Sequence, residues 1–390
     1  MMLKRTIGLS LIFSVLIGFT SCKNKIEKES KKTSLEQSSS EKEEKDWAIL
    51  GFERPEGVNP VLSPIEESEF YSELNKRDVK WESNDVFNPA ATVLGDSIYV
   101  LYRAEDKSGK GISERTSRIG LAASANGFEM NRRSKPVLFP RNDAQKQFEW
   151  PGGCEDPRVA VTEDGTYVML YTQWNKKVAR LAVATSKNLK EWDKHGPAFA
   201  KAYDGKYLDD FTKSASIVTK LKNGKLVITQ IDGQYFLYWG EKNVYAATSS
   251  DLMNWKPVED ENGKLKILMS PREGYFDSQL TECGPPAVLT ENGIVLIYNG
   301  KNLQEGGDVN YTANTYCAGQ ALFDKENPLQ LNDRLNKPFL VPTADFEKSG
   351  QYPAGTVFTE GLVYFENSWY LYYGCADSRV GVVVSNQNIN

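Results

Sequence analysis

From Ser97 to its end the chain repeats itself, and the repeat restricts the fold more than any other feature. A run of aromatic and branched residues is followed by a run of small and branched ones, often trailed by a Trp or Phe. "SIYVLYR" precedes "RIGLAASANGFEM", and "TYVMLYT" precedes "VARLAVATSKNLKEW". "KLVITQI" and "QYFLYW" precede "NVYAATSSDLMNW", "GIVLIYNG" precedes "YCAGQALFD", and "SWYLYYG" precedes "SRVGVVVS". The copies start at Ser97, Thr166, Lys225, Gly293 and Ser368, 59 to 75 residues apart. Gly, Asn, Asp and Pro turns separate them, and no long amphipathic helix intervenes. Sheets that cannot bury both faces alone stack side by side in a ring, and loose spacing fits blades with variable loops. The predicted fold is all-β, a five-bladed β-propeller; a β-sandwich or two small β domains is the alternative. Polar residues that interrupt the inner strands of a propeller point at one mouth. That groups Arg103, Asp156, Arg158, Glu241, Glu282 and Asp377, far apart though they are in sequence.

The N-terminus reads as a targeting segment. Lys4 and Arg5 precede the apolar run "TIGLSLIFSVLIGF", which ends at "TSC". The run is short for a membrane span and has the flanks of a signal peptide, residues 1–21. Cys22 stands where a bacterial lipoprotein cysteine is acylated, with Phe19 in place of the usual Leu. A Lys, Glu and Ser tether follows over residues 22–46, too polar to fold. The propeller is expected over 47–390. The expected location is that of an exported bacterial lipoprotein, held through its lipid to the outer membrane on the periplasmic or cell-surface side.

Composition removes several function classes. A formal net charge of −5 implies no basic face, so nucleic acid is not an expected partner. The single histidine, His195, rules out zinc sites built on several His and leaves one residue for any Ser-His triad. No metal or cofactor is expected. Eight Trp and 19 Tyr suit sugar stacking, although β-rich cores use them too. Cys154, Cys283, Cys317 and Cys375 form no CxxC pair and read as small buried apolar residues.

Glycosidic cleavage needs a proton donor at the leaving oxygen and a group that delivers water or phosphate. "GGCEDPRV" offers two adjacent carboxyls, Glu155 and Asp156, with Pro157 restricting Asp156 to an extended backbone. One could carry the proton while the other binds a sugar hydroxyl or Arg158. Alone, such a turn is weak evidence.

More specific is the ordered series "FNPAAT", "YVLYRAED", "SRIGLAASANGF", "GCEDPRV", "GPPAVLTENGIVLIYNG", "AGQALFD", "PFLVPTADFEKSGQYPAGTVFTEGL" and "YYGCADSRVGVVV". From about Asn88 to Val384 it resembles glycoside hydrolase family 130, the mannoside phosphorylases and mannosidases built on five-bladed propellers. The resemblance implies a mannose-containing glycan as substrate, Asp156 as proton donor, and Asn88, Arg103, Arg118 and Asp377 as sugar-site residues; Glu155, Arg158, Lys213, Asp277 and Asn299 are expected to bind substrate with them. It also marks departures from the phosphorylase pattern. Glu282 in "TECGPP" brings in a carboxylate, and Asn299 in "IYNG" replaces an expected phosphate-binding His. Lys213 in "FTKSAS" keeps one basic position. Glu241 in "YWGEKN" and Glu282 match the two glutamates of the family's hydrolases, where they would activate water. A carboxylate facing a phosphate dianion repels it. The reading is therefore an inverting β-mannosidase, and the resemblance to the family's hydrolases implies β-1,2 linkages as its target. A phosphorylase releasing mannose 1-phosphate and a non-catalytic sugar-binding propeller are its alternatives.

Overall fold

A computed structural model describes residues 45–387. The expected signal peptide, Cys22 and nearly all of the tether lie outside the described residues. The described chain is almost entirely β, with one four-residue α-helix at Lys146–Glu149.

It is a five-bladed β-propeller. Blade 1 runs through strands Asp85–Leu94, Ser97–Glu105, Ser117–Ser124 and Asn131–Arg132, each antiparallel to the last. Blade 2 follows with Gly153–Val161, Tyr167–Trp174, Ala179–Ser186 and Asp193–Pro197. In blade 3 the second position is shared. Ala215–Lys222 pairs with Lys225–Ile228 at one end and Gln234–Trp239 at the other, which is why two runs preceded the third repeat. Tyr245–Ser249 and Lys256–Pro257 complete that blade. Blade 4 begins with an interrupted strand, Leu280–Cys283 and Ala287–Leu289, followed by Ile294–Lys301, Tyr316–Phe323 and Leu331–Arg334. Blade 5 has three strands of its own, Val357–Phe365, Ser368–Cys375 and Arg379–Ser385. Its outer edge is covered from the other end of the chain, by bridges Glu53 to Val384 and Leu62 to Val380.

Adjacent residues of a strand face opposite ways, so each blade feeds two cores. Leu101 packs with Val159, Met169 and Ala182 of blade 2, while Tyr102 packs with Val363 and Tyr372 of blade 5. Five clusters arise this way, one at each interface, and the blade 5 to blade 1 cluster closes the ring. The repeated "LY" or "IY" of the second strands supplies Tyr102, Tyr171, Tyr238, Tyr298 and Tyr372. Each is fully buried, and each hydroxyl donates to an acceptor 2.7–2.9 Å away. A buried phenol needs such a partner.

The turn after the third strand also repeats. Asn126, Asn188, Asp251 and Asp324 each accept two backbone N–H bonds, from the residues two and three positions on. The side chain thus stands in for a backbone turn. Trp192 and Trp255 beyond these turns are buried in the core, as packing residues. The four propeller cysteines are free and buried. His195 is exposed and bonded to Thr185 at 2.8 Å.

The first strands carry the feature that positions a site. Ladder pairing is interrupted at Asn88 in blade 1, at Asp156 and Pro157 in blade 2, and at Glu360 in blade 5. In blade 4 it breaks over residues 284–286. A bulge leaves a residue unpaired and re-aims its side chain. Asn88 and Asp156 sit at φ 47°, a conformation that Asn and Asp tolerate better than most residues, so the bulge takes Asp156 out of the extended backbone expected before Pro157. At Gly153, φ is 122° and a Cβ would stand 2.1 Å from the Ser117 carbonyl oxygen. Only glycine lets blade 2 lie this close to blade 1.

Candidate active site

The bulged ends open into a cleft of about 260 Å³. Asn88, Arg103, Glu155, Asp156, Lys213, Glu282 and Asp377 line it, with Glu105, Trp174, Phe211, Tyr316 and Tyr352 among the walls. Two cations organise it.

On the blade 1 and 2 side the cation is Arg103, 7% exposed. Its guanidinium meets Glu105 at 2.6 Å, Glu155 at 2.9 Å and Asp156 at 3.1 Å, and Nε donates to Ser117 Oγ at 3.2 Å. Asn88 donates to the same Asp156 oxygen at 2.9 Å, and Ser117 Oγ donates to Glu155 at 3.0 Å. These surroundings drive the two adjacent carboxyls apart. Burial pushes Glu155 up to about 7 against the pull of Arg103, with Asp156 and Glu105 adding repulsion. Burial pushes Asp156 up as well, but Arg103, Lys213, Arg158 and the Asn88 hydrogen bond outweigh it and hold Asp156 below the usual range. The pair titrates together, so near neutral pH its proton is held mainly on Glu155, in about half of the molecules. Asp377, opposite, is raised to about 7 by burial, with Arg103 opposing.

On the blade 3 and 4 side the cation is Lys213. Its Nζ lies 3.0 Å from Glu241 and 3.2 Å from Glu282, and Ser214 Oγ donates to Glu282 at 2.5 Å. Glu241 arrives on a turn whose carbonyls receive blade 4 amides. Cys283 N–H donates to Gly240 O and Thr281 N–H to Glu241 O, both at 3.1 Å. That places a partly exposed carboxylate beside a buried one, with side chains 39% and 2% exposed. Burial raises Glu282, Lys213 opposes, and Glu241 raises it further. Burial alone would lower Lys213, but Glu282, Glu241 and Asp156 carry it well above its ordinary value.

Four residues expected to bind sugar do not line the cleft, and each is buried and engaged by other protein groups. Arg118, 1% exposed, is held by Asp106 at 2.7 Å and the Thr116 carbonyl at 3.1 Å. Arg158 is buried against backbone carbonyls and Glu360. Asp277, fully buried, is bound by Arg334 at 2.5 Å, Arg272 at 2.9 Å and Tyr298 at 2.7 Å. Asn299 pairs with Glu282 in the ladder, but its amide clamps Thr359 of blade 5, donating to O at 3.1 Å and accepting from N–H at 2.7 Å. Asn299 therefore spends its amide on blade 5 rather than on the cleft.

Sequence reasoning missed Glu105 and Glu360. Glu105 ends "YRAE" and reads as a strand terminus. Glu360 had a signal. "FNPA", "EDPR" and "TEGL" each put a polar residue before Pro or Gly in a first strand, and each is a bulge.

Comparison with known proteins gives the family. The model of glycoside hydrolase family 130, described as β-1,4-mannooligosaccharide phosphorylase, matches residues 43–389. A 1,2-β-oligomannan phosphorylase of Thermoanaerobacter sp. (strain X514) is 32% identical over 333 residues, 83% of this chain and 94% of that protein. Among solved structures, a glycosyl hydrolase from Bacteroides ovatus is 62% identical with a TM-score of 0.87, covering 88% of this chain and 95% of its own. Another, with 61% identity and the same TM-score and coverage, is described under family 130 glycoside hydrolases that target β-1,2 mannosidic linkages in Candida mannan. With a matching family model over most of its length, a propeller fold and a cleft lined by carboxylates, the chain belongs to glycoside hydrolase family 130, enzymes that act on mannosides.

Proposed function

We propose that the protein is an exported, inverting β-mannosidase that hydrolyses β-1,2-mannosidic linkages. One observation carries the reading. The single lysine lining the cleft is bracketed by Glu282 of the lining and by Glu241 just outside it, so the cation that an anion would use is already engaged by two carboxylates. A phosphate dianion would face their repulsion, whereas water is oriented by them. Asp156 protonates the leaving oxygen, drawing on the proton that the Glu155 and Asp156 pair retains at neutral pH. Glu282, buried and held by Ser214 and Lys213, is the preferred base, and Glu241 helps bind the water. Linkage follows the relatives, whose descriptions include a 1,2-β-oligomannan phosphorylase and hydrolases of β-1,2 mannosides.

Incubating the protein with β-1,2-mannobiose, with and without inorganic phosphate, tests this. Mannose alone should form, as the α-anomer first by NMR, at a rate indifferent to phosphate. Mannose 1-phosphate would make the protein a phosphorylase. Sugar binding without turnover, in wild type and Asp156→Asn alike, would make it a binding module.

Export rests on the sequence of residues 1–46. Labelled palmitate should enter the full chain expressed in a lipoprotein-processing bacterium and not its Cys22→Ala variant. Equal labelling of both would remove the anchor from the reading.

A further inference from the structure

Arg158 stands at the junction of three first strands, and what it holds there are the broken ends of two of them. Asp156 and Pro157 have no ladder partner, since pairing passes from Glu155–Thr172 directly to Arg158–Leu170. On blade 4 the strand carrying Glu282 stops at Cys283 and resumes at Ala287. Both carboxylates assigned to the chemistry thus sit where the sheet has given up the hydrogen bonds that normally fix a strand.

The guanidinium supplies replacements at both places. Nη1 donates to the Asp156 carbonyl at 3.0 Å, Nη2 to the Cys283 carbonyl at 3.0 Å and Nε to the Gly284 carbonyl at 3.2 Å. Nη2 also lies 2.7 Å from Glu360 Oε1 on the bulge of blade 5. Ser216 of blade 3 adds a second donor to the Gly284 carbonyl at 3.0 Å. Arg158 is 2% exposed and Glu360 fully buried, so neither reaches a sugar. A planar fork of five N–H donors can serve acceptors on several strands at once, which an ammonium on a flexible stem cannot do with fixed geometry.

We propose that Arg158, packed against Glu360, is a positioning residue that sets the placement of the proton donor Asp156 relative to the water-activating Glu282. Inverting glycosidases need their two carboxyls at a set separation, roughly 6.5–9.5 Å, to admit the water. Here the two come from blades that are not neighbours, and no ladder pairs their first strands directly; they meet only through blade 3, away from the two breaks. The single side chain bonded to both breaks is what ties one to the other. The inference rests on the proposed roles of Asp156 and Glu282, and its test separates the two claims.

Leaving-group dependence is the readout. A 2,4-dinitrophenolate departs without protonation, whereas the sugar leaving group of β-1,2-mannobiose needs the acid. Arg158→Lys and Glu360→Gln are each assayed on both substrates, with Asp156→Asn as reference. In Arg158→Lys, kcat on mannobiose should fall ~10²-fold, the cost of about an ångström of misplacement, with KM changed little. On 2,4-dinitrophenyl β-mannoside the loss should be about tenfold smaller, because only water delivery is affected. Glu360→Gln keeps the shape and should show the same pattern at about a tenth of the size. Equal losses on both substrates, or none, in variants with wild-type melting temperature overturn the proposal. If Arg158→Lys does not fold, Glu360→Gln decides alone. If Asp156→Asn itself shows no leaving-group dependence, the donor assignment fails first, whatever Arg158 does.

Discussion

The two sides of the cleft answer the same problem, carboxylates gathered on one cation, with different chemistry. At Arg103 three acids share a nearly buried guanidinium, and Asn88 and Ser117 donate to the same oxygens of Asp156 and Glu155 that it contacts. At Lys213 two acids share an ammonium, and one of them, Glu241, is 39% exposed. The Arg103 side fixes geometry and separates the protonation of neighbouring groups, which a proton donor requires. The Lys213 side keeps one face wet and holds charge without a fork, which suits the delivery of water. If that contrast is functional, the two sides should fail in different ways.

Asp156→Asn tests the first side hardest. It keeps the Asn88 and Arg103 contacts nearly isosteric while removing the acid, and should lower kcat on β-1,2-mannobiose by ~10³-fold. A loss under about tenfold would move the donor role elsewhere, with Glu155 next in line. On the second side, Glu282→Gln should cost ~10²-fold and Glu241→Gln about tenfold, because the buried carboxylate is the better held base. The double variant leaves Lys213 without its two carboxylates, so added phosphate should then accelerate cleavage and yield mannose 1-phosphate. A double variant still indifferent to phosphate would show that something other than those carboxylates excludes the anion.

The same contrast explains what the sequence could and could not disclose. The blades were legible because each copy repeats a pattern with a local cause: alternate burial toward two interfaces, a Leu-Tyr or Ile-Tyr pair, and an Asn or Asp that closes a turn. Asn88, Arg103, Glu155, Asp156, Lys213, Glu282 and Asp377 all reached the cleft lining. Glu241 stands outside the lining and meets it only through Lys213. Arg118, Arg158, Asp277 and Asn299 did not reach it, because a charged or polar residue on a buried strand can face the mouth or a neighbouring blade with equal ease. Which way it faces depends on partners brought from other blades, as Thr359 is to Asn299 over a separation of 60 residues. The closing of blade 5 by Glu53 and Leu62 was hidden for a related reason, since an edge bridge leaves little pattern in the strand that makes it.

The smallest effect should be the most diagnostic of the Arg103 side. Glu155, raised to about 7, is a carboxyl that the folded state prefers to keep protonated. Its contribution to stability is full below its unfolded pKa, near 4.5, and is lost as pH rises through about 7. Glu155→Gln removes that loss, so the variant should gain melting temperature over wild type at pH 8 and gain nothing near pH 4.5. In catalysis the sign is opposite. Gln cannot take a share of the proton, and Asp156 is left with Arg103, Lys213 and Arg158 holding it ionised. The alkaline limb of kcat/KM should therefore move to lower pH by about a unit or more, with kcat at the acid optimum changed little. An alkaline limb that stays in place would mean that Asp156 holds its proton unaided, and Glu155 would then be a sugar ligand and no part of the proton supply.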